Sequence, residues 1–95
     1  MKEEVFRNEA FTLYLEPYQG SFFYHCDVRK WNKEVKKQYL NSLDKLVSLL
    51  PSPLYALIDQ EDKKLIKFAK LSKMKQHQEI VGLDDKPYFI FVRGK

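Results

Sequence analysis

The sequence predicts one α+β domain in which mostly antiparallel strands pack on two amphipathic helices. Three observations carry this. Two runs near the N-terminus alternate apolar and polar residues, one long central run repeats its apolar residues every three or four positions, and two short runs are almost wholly apolar. The chain has 95 residues, the size of a single domain spanning 1–95. Seven Phe, six Tyr and one Trp supply large apolar area with few rotatable bonds, which suits a domain with little interior.

Val5–Asn8 is a first short strand. In Phe11-Thr12-Leu13-Tyr14-Leu15-Glu16 the residues Phe11, Leu13 and Leu15 share one side, the mark of a half-buried strand. Pro17-Tyr18-Gln19-Gly20 reads as a turn. From Phe22 to Val28 the faces alternate again: Phe22, Tyr24, Cys26 and Val28 on one, Phe23, His25 and Asp27 on the other. These three runs predict an antiparallel meander.

Val35, Tyr39, Leu43, Leu46, Val47 and Leu50 form one helical stripe, with Glu34, Asn41, Lys45 and Ser48 opposite. Asn32 fits the N-cap and Pro51-Ser52-Pro53 ends the helix. Leu54-Tyr55-Ala56-Leu57-Ile58 is continuously apolar and predicts a strand buried on both faces, paired parallel to an earlier strand through the helical crossover. A second helix is expected from about Glu61 to about Ser72, with Leu65, Phe68, Ala69 and Ser72 inward and Lys63, Lys67 and Lys70 outward. After a turn at Gly82–Pro87, Tyr88–Val92 is the last strand. The expected order is β-β-β-α-β-α-β.

Composition bounds the function. No apolar run reaches the roughly 20 residues of a membrane-spanning helix, and Met1-Lys2-Glu3-Glu4 leads into no apolar signal region. No membrane association is therefore expected. A single cysteine, Cys26, allows no internal disulfide and suits a reducing cytoplasm. The net charge of +4 suits an anionic partner without requiring one.

Few residues carry chemistry. His25 and Cys26 are strand neighbours, so their side chains point to opposite faces and cannot pair; Cys26 shares its face with apolar residues, as a structural cysteine does. Two His and one Cys without close spacing predict no metal site. His25 and Asp27 share a strand face and together suit orienting a water or taking a proton; the alternative is a solvated strand face. Arg29, Lys30 and Lys33, with Lys36 and Lys37, surround the first helix N-terminus, where free amides and the helix dipole attract anions. Lys63, Lys67 and Lys70 line one face of the second helix, within a stretch from Lys63 to Lys75 that holds no acid. Both basic groups read either as binding surfaces or as solubilising charge. Nucleic-acid binding calls for exposed aromatics among the charges, for which Trp31 and Tyr18 are the candidates.

From about Phe11 to Val92 the element order resembles the GNAT-type N-acetyltransferase fold from its second strand onward. The likeness is closest to small variants of tailed phages, including GNAT-like internal virion proteins. The segments that carry it are Asp27-Val28-Arg29-Lys30-Trp31-Asn32-Lys33 entering the first helix, Leu54-Tyr55-Ala56-Leu57-Ile58-Asp59, and Lys64-Leu65-Ile66-Lys67-Phe68-Ala69-Lys70-Leu71. The resemblance implies a truncated GNAT-like fold, and it also shows what is missing. The family's cofactor loop reads Arg/Gln-x-x-Gly-x-Gly/Ala, with glycines that let backbone amides reach the acetyl-CoA pyrophosphate; Lys30–Lys37 holds no glycine. Phe68 and Ala69 occupy the region of the family's tyrosine acid, and neither donates a proton. The family's first strand and N-terminal helix pair have no counterpart here. The expectation is a non-catalytic accessory protein, without a cofactor, that binds an acidic protein surface rather than nucleic acid. It would reside in the host cytoplasm if phage-encoded. The alternatives are a minimal acyl-CoA-dependent acyltransferase, with Arg29, Lys30 and Lys33 holding the cofactor, and a basic nucleic-acid-binding protein.

Overall fold

In the computed structural model, which describes residues 2–94, eight elements follow one another. They are β1 (Glu3–Arg7), β2 (Phe11–Tyr18), β3 (Ser21–Val28), α1 (Lys33–Leu49), β4 (Leu54–Asp59), α2 (Lys63–Leu71), β5 (Lys75–Val81) and β6 (Pro87–Arg93). The six strands form one sheet in the order β1-β2-β3-β4-β6-β5. Only β3 and β4 pair in parallel, joined by α1 as the crossover; the other neighbours are antiparallel. The class is α+β, as predicted, with one strand more than predicted.

Local chemistry explains the boundaries. Gln19 and Gly20 both have positive φ, 49° and 80°, and form a two-residue loop closed by the Tyr18–Ser21 pair. Two left-handed residues match the twist of a hairpin, and glycine takes that conformation without a Cβ penalty. Asn32 caps α1, its side chain accepting from the Val35 amide at 2.9 Å, and Asp62 caps α2 by accepting from Leu65 at 3.0 Å. Helix α2 stops in a Schellman motif: Lys73 turns left-handed (φ 63°), and the Met74 amide donates to the Ala69 carbonyl at 3.0 Å.

Both helices cover the same sheet face. Phe11, Leu13, Tyr39, Leu43, Leu54 and Phe91 are fully buried between them and the sheet. Tyr39 of α1 lies 4.9 Å from Phe68 of α2, ring centre to ring centre, and edge-on to Phe11 at 5.6 Å. Arg93, at the end of β6, donates to the Asp44 carboxylate of α1 and to the Ser72 carbonyl, so one guanidinium ties three elements. That contact holds Asp44 below the ordinary carboxylate range.

Three expectations are corrected. The strand Leu54–Asp59 is not buried on both faces: Leu54, Ala56 and Ile58 are buried, but Leu57 is 49% exposed. The apolar run arises because one face meets the helices and the other belongs to an uncovered sheet surface. Leu57→Ala is therefore expected to cost under about 1 kcal/mol, measured by chemical denaturation. Second, Leu65 is 46% exposed rather than inward, at the rim of α2. Third, Lys75–Val81 is an edge strand that sequence reading leaves as loop. The first strand also lies earlier, at Glu3–Arg7.

Candidate functional site

The parallel strands β3 and β4 pair only at their starts, Phe22 with Leu54 and Phe23 with Tyr55, and then diverge. Beyond that point a cleft of about 220 Å³ opens between them, lined among others by Tyr24, Cys26, Ala56, Ile58, Phe68 and Met74. It lies towards the C-terminal ends of the parallel strands, where crossover topology leaves room for ligands. Its lining is mostly apolar, with Lys2, His25 and Cys26 as further polar members, and Tyr24 and Ser72 belong to a buried chain of hydroxyls. Tyr24 donates to Tyr39 at 2.9 Å, Tyr39 meets Ser72 Oγ at 2.6 Å, and Ser72 donates to the Phe68 carbonyl at 2.7 Å. Tyr39 therefore donates to Ser72, so every proton in the chain has an acceptor.

Burial sets the electrostatics here. It pushes the Tyr39 hydroxyl up to about 12, raises Tyr24, and pushes the Cys26 thiol up to about 11. All three are neutral at physiological pH, and Cys26 is no nucleophile there. A raised acid stabilises the fold below its unfolded value, about 10 for tyrosine, and that contribution disappears as pH rises toward the folded value. Unfolding free energy should accordingly fall above about pH 10. Tyr39→Phe leaves the Tyr24 hydroxyl without its acceptor and should cost about 1–3 kcal/mol, read from denaturant midpoints.

Of the candidate site residues, His25 lines this cleft and the others do not. His25 and Asp27 share the helix-free face, but each has its own partner: His25 Nε2 meets Glu16 Oε1 at 2.9 Å, and Asp27 lies 3.5 Å from Arg29. Among the described residues no three possible metal ligands cluster. Arg29 is occupied in holding the fold. It donates to the Asn8 carbonyl at 2.6 Å, to Thr12 Oγ1 at 2.9 Å and to the Glu9 carbonyl at 3.3 Å, clamping the β1–β2 turn to the entry of α1. Lys30 lies 3.8 Å from Glu9, and Lys33 is exposed at the start of α1. Asn32 takes the Val35 amide with its side chain and the Lys36 amide with its carbonyl, so two donors of the first turn are already satisfied.

Trp31 is 42% exposed and meets Tyr39 and Phe68 edge-on at 5.9 and 5.6 Å, so it bridges α1 and α2. Tyr18 stands on the opposite side of the sheet, against Phe23.

Helix α2 presents Lys63, Lys64, Lys67 and Lys70 to solvent, and none forms an ion pair among the described residues. Residues 61–75 contain six lysines and two acids, which equals the whole net charge of +4. Outside this segment acids and bases balance, and the cations Arg7, Arg29, Lys30 and Arg93 are paired. The basic character of the chain is thus a local property of α2 and its exit. Sequence reading found these lysines through their spacing. It missed the hydroxyl chain, whose members lie 15 and 33 positions apart.

Among the described residues no helix is long and apolar enough to cross a membrane. The geometry defines an α+β domain with a one-sided helical layer, a cleft between diverging parallel strands and a concentrated basic ridge. In comparisons with known proteins, no family model, no curated protein and no solved structure matches this chain.

Proposed function

We propose that the protein is a non-catalytic binding module on a GNAT-like scaffold, an accessory protein of the small phage type, and that α2 docks an acidic face of a protein partner. The observation that carries this reading is the concentration of the entire net charge on residues 61–75, with the exposed α2 lysines Lys63, Lys64, Lys67 and Lys70 in no ion pair among the described residues. An unneutralised ridge draws a partner of opposite charge from a distance and orients it on arrival. Protein is favoured over nucleic acid because aromatics and lysines are not interleaved. Trp31 is packed on Tyr39 and Phe68, and Tyr18 is on the far side of the sheet. Within α2 itself the single aromatic, Phe68, is not exposed.

The scaffold reading draws on the parallel β3–β4 pair with its α1 crossover and divergent strands. The cleft there favours a second reading, binding of an acyl-CoA. Against transfer chemistry stand the capped α1 N-terminus and a loop without glycine. Titrating the full chain with labelled polyglutamate, duplex DNA and acetyl-CoA tests the three functions together. Binding of polyglutamate ahead of DNA, with no thermal stabilisation by millimolar acetyl-CoA, is the expected pattern. A saturable rise in melting temperature with acetyl-CoA would establish the cleft as a cofactor site instead.

A further inference from the structure

After the pairs Phe22–Leu54 and Phe23–Tyr55 the strands β3 and β4 part, and side chains from both sheet faces reach the opening. Tyr24 and Cys26 come from the helix side, His25 and Leu57 from the other. Leu57 and Leu65, each about half exposed, stand at the mouth, and Ala56, Ala69, Ser72 and Met74 are buried within. The two alanines leave space that longer side chains would fill. The volume, about 220 Å³, exceeds the ~150 Å³ of an apolar cavity that holds benzene.

The direction of the hydroxyl chain sets what this cleft can hold. Tyr24 donates to Tyr39, Tyr39 to Ser72, and Ser72 to the Phe68 carbonyl, so each O–H is spent on its neighbour. Tyr24 Oη and Ser72 Oγ keep lone pairs, so the wall accepts hydrogen bonds and has no O–H left to give. The Cys26 thiol is only a weak donor. At the mouth His25 turns Nε2 to Glu16, and Lys2 sets its ammonium over the Tyr14 ring, 4.9 Å from the centre. A buried ligand carbonyl or carboxylate would therefore lose its water without a strong donor in exchange, whereas a ligand O–H finds an acceptor. A flat ring suits a lining that includes Tyr24, Phe68 and the Met74 thioether. We propose that the cleft binds a small uncharged phenol, with its ring among Ile58, Phe68 and Met74 and its hydroxyl donating to Tyr24 Oη or Ser72 Oγ. The exposed lysines of α2 face solvent and none of them lines the cleft, so this site and the docking ridge are independent of one another.

Calorimetric titration of the full chain with p-cresol, read beside backbone amide NMR shifts, tests this. Saturable binding with a dissociation constant of about 0.1–1 mM is expected, the range for so small a ligand. The shifts should centre on residues 24–26, 56–58 and 65–72. 4-Fluorotoluene keeps the shape of p-cresol and lacks its O–H, so it should bind about three- to tenfold more weakly. Cys26→Met lengthens a half-buried wall residue into the cleft and should raise the p-cresol constant at least about tenfold while the circular dichroism stays that of the parent. Absence of saturable p-cresol binding up to about 10 mM overturns the proposal. So does equal or tighter binding of 4-fluorotoluene, a set of shifts confined to other parts of the chain, or a folded Cys26→Met protein that binds p-cresol as the parent does.

Discussion

Phe91→Ala is expected to destabilise the protein by about 3–5 kcal/mol, the range for deleting a fully enclosed aromatic ring. Phe91 has no exposed surface, lies on the helix-facing side of β6, pairs with Ala56 of β4 and meets Phe89 edge-on at 6.2 Å. Its ring fills space between the sheet centre and the helices, and Arg93 ties Asp44 within α1 and the Ser72 carbonyl at the end of α2 to β6, which limits collapse into the void. A domain of this size has about 5–15 kcal/mol in total, so a large part of the native margin goes with one side chain. Urea denaturation followed by circular dichroism reads the loss as a lower midpoint at constant slope. The contrast with Leu57→Ala is informative. Leu57 and Phe91 both sit in mostly apolar strand runs, yet the helices cover one and not the other. A small effect at Phe91 would mean that the helical layer does not close over the sheet.

Reversal of Lys63, Lys67 and Lys70 to Glu is expected to abolish binding of an acidic probe at low salt and to leave stability within about 1 kcal/mol of the parent. All three side chains are exposed, and α2 keeps its Asp62 cap, its Schellman stop and its buried Ala69 and Ser72 neighbours. The reversal changes the charge of the segment by six, from +4 to −2, because each lysine contributes +1 and each glutamate −1. Attraction becomes repulsion at three adjacent points, so the loss should amount to several kcal/mol, chiefly through slower association. The difference between parent and variant should shrink above about 0.5 M salt, where screening shortens the reach of the field to a few ångströms. Stopped-flow association with fluorescent polyglutamate, at low and high salt, supplies the check.

The buried half of the fold was legible in the sequence because its signals are periodic and local. Phe11, Leu13 and Leu15 announce β2 by alternation, and Val35, Tyr39 and Leu43 announce α1 by helical spacing; all six are buried. Asn32 declares the helix start, whereas the turn read at Pro17-Tyr18-Gln19-Gly20 narrows to Gln19-Gly20, because Pro17 and Tyr18 still pair within β2. The parallel placement of β4 followed from a helix between two strands. What was not legible depends on partners distant in the chain. Strand β5, Lys-Gln-His-Gln-Glu-Ile-Val, has polar residues on both faces because it is an edge strand, and a bulge between Gln76 and Gln78 breaks its period. No local pattern separates it from a loop; only pairing with β6 makes it a strand.

Leu57 misled for the related reason that an apolar run does not say which of its faces finds a cover. Among the site residues, the α2 lysines could be read from spacing alone, since exposure on a helix follows from the stripe opposite. Arg29 could not. Its spacing suits an anion site, but its donors go to Asn8, Glu9 and Thr12, some 20 residues back along the chain. The cleft was hidden altogether, because it is made by two strands that part after two residue pairs.

The central claim is that the exposed lysines of α2 form a docking surface, and equilibrium binding of labelled polyglutamate to the full chain addresses it most directly. Parent and Lys63→Glu/Lys67→Glu/Lys70→Glu proteins, titrated at about 20 mM and 500 mM salt, give four dissociation constants. The account predicts saturable binding by the parent at low salt, weakening steeply at high salt, and no measurable binding by the variant at either. Equal affinity of parent and variant at low salt would contradict it and reduce the α2 face to solvated surface.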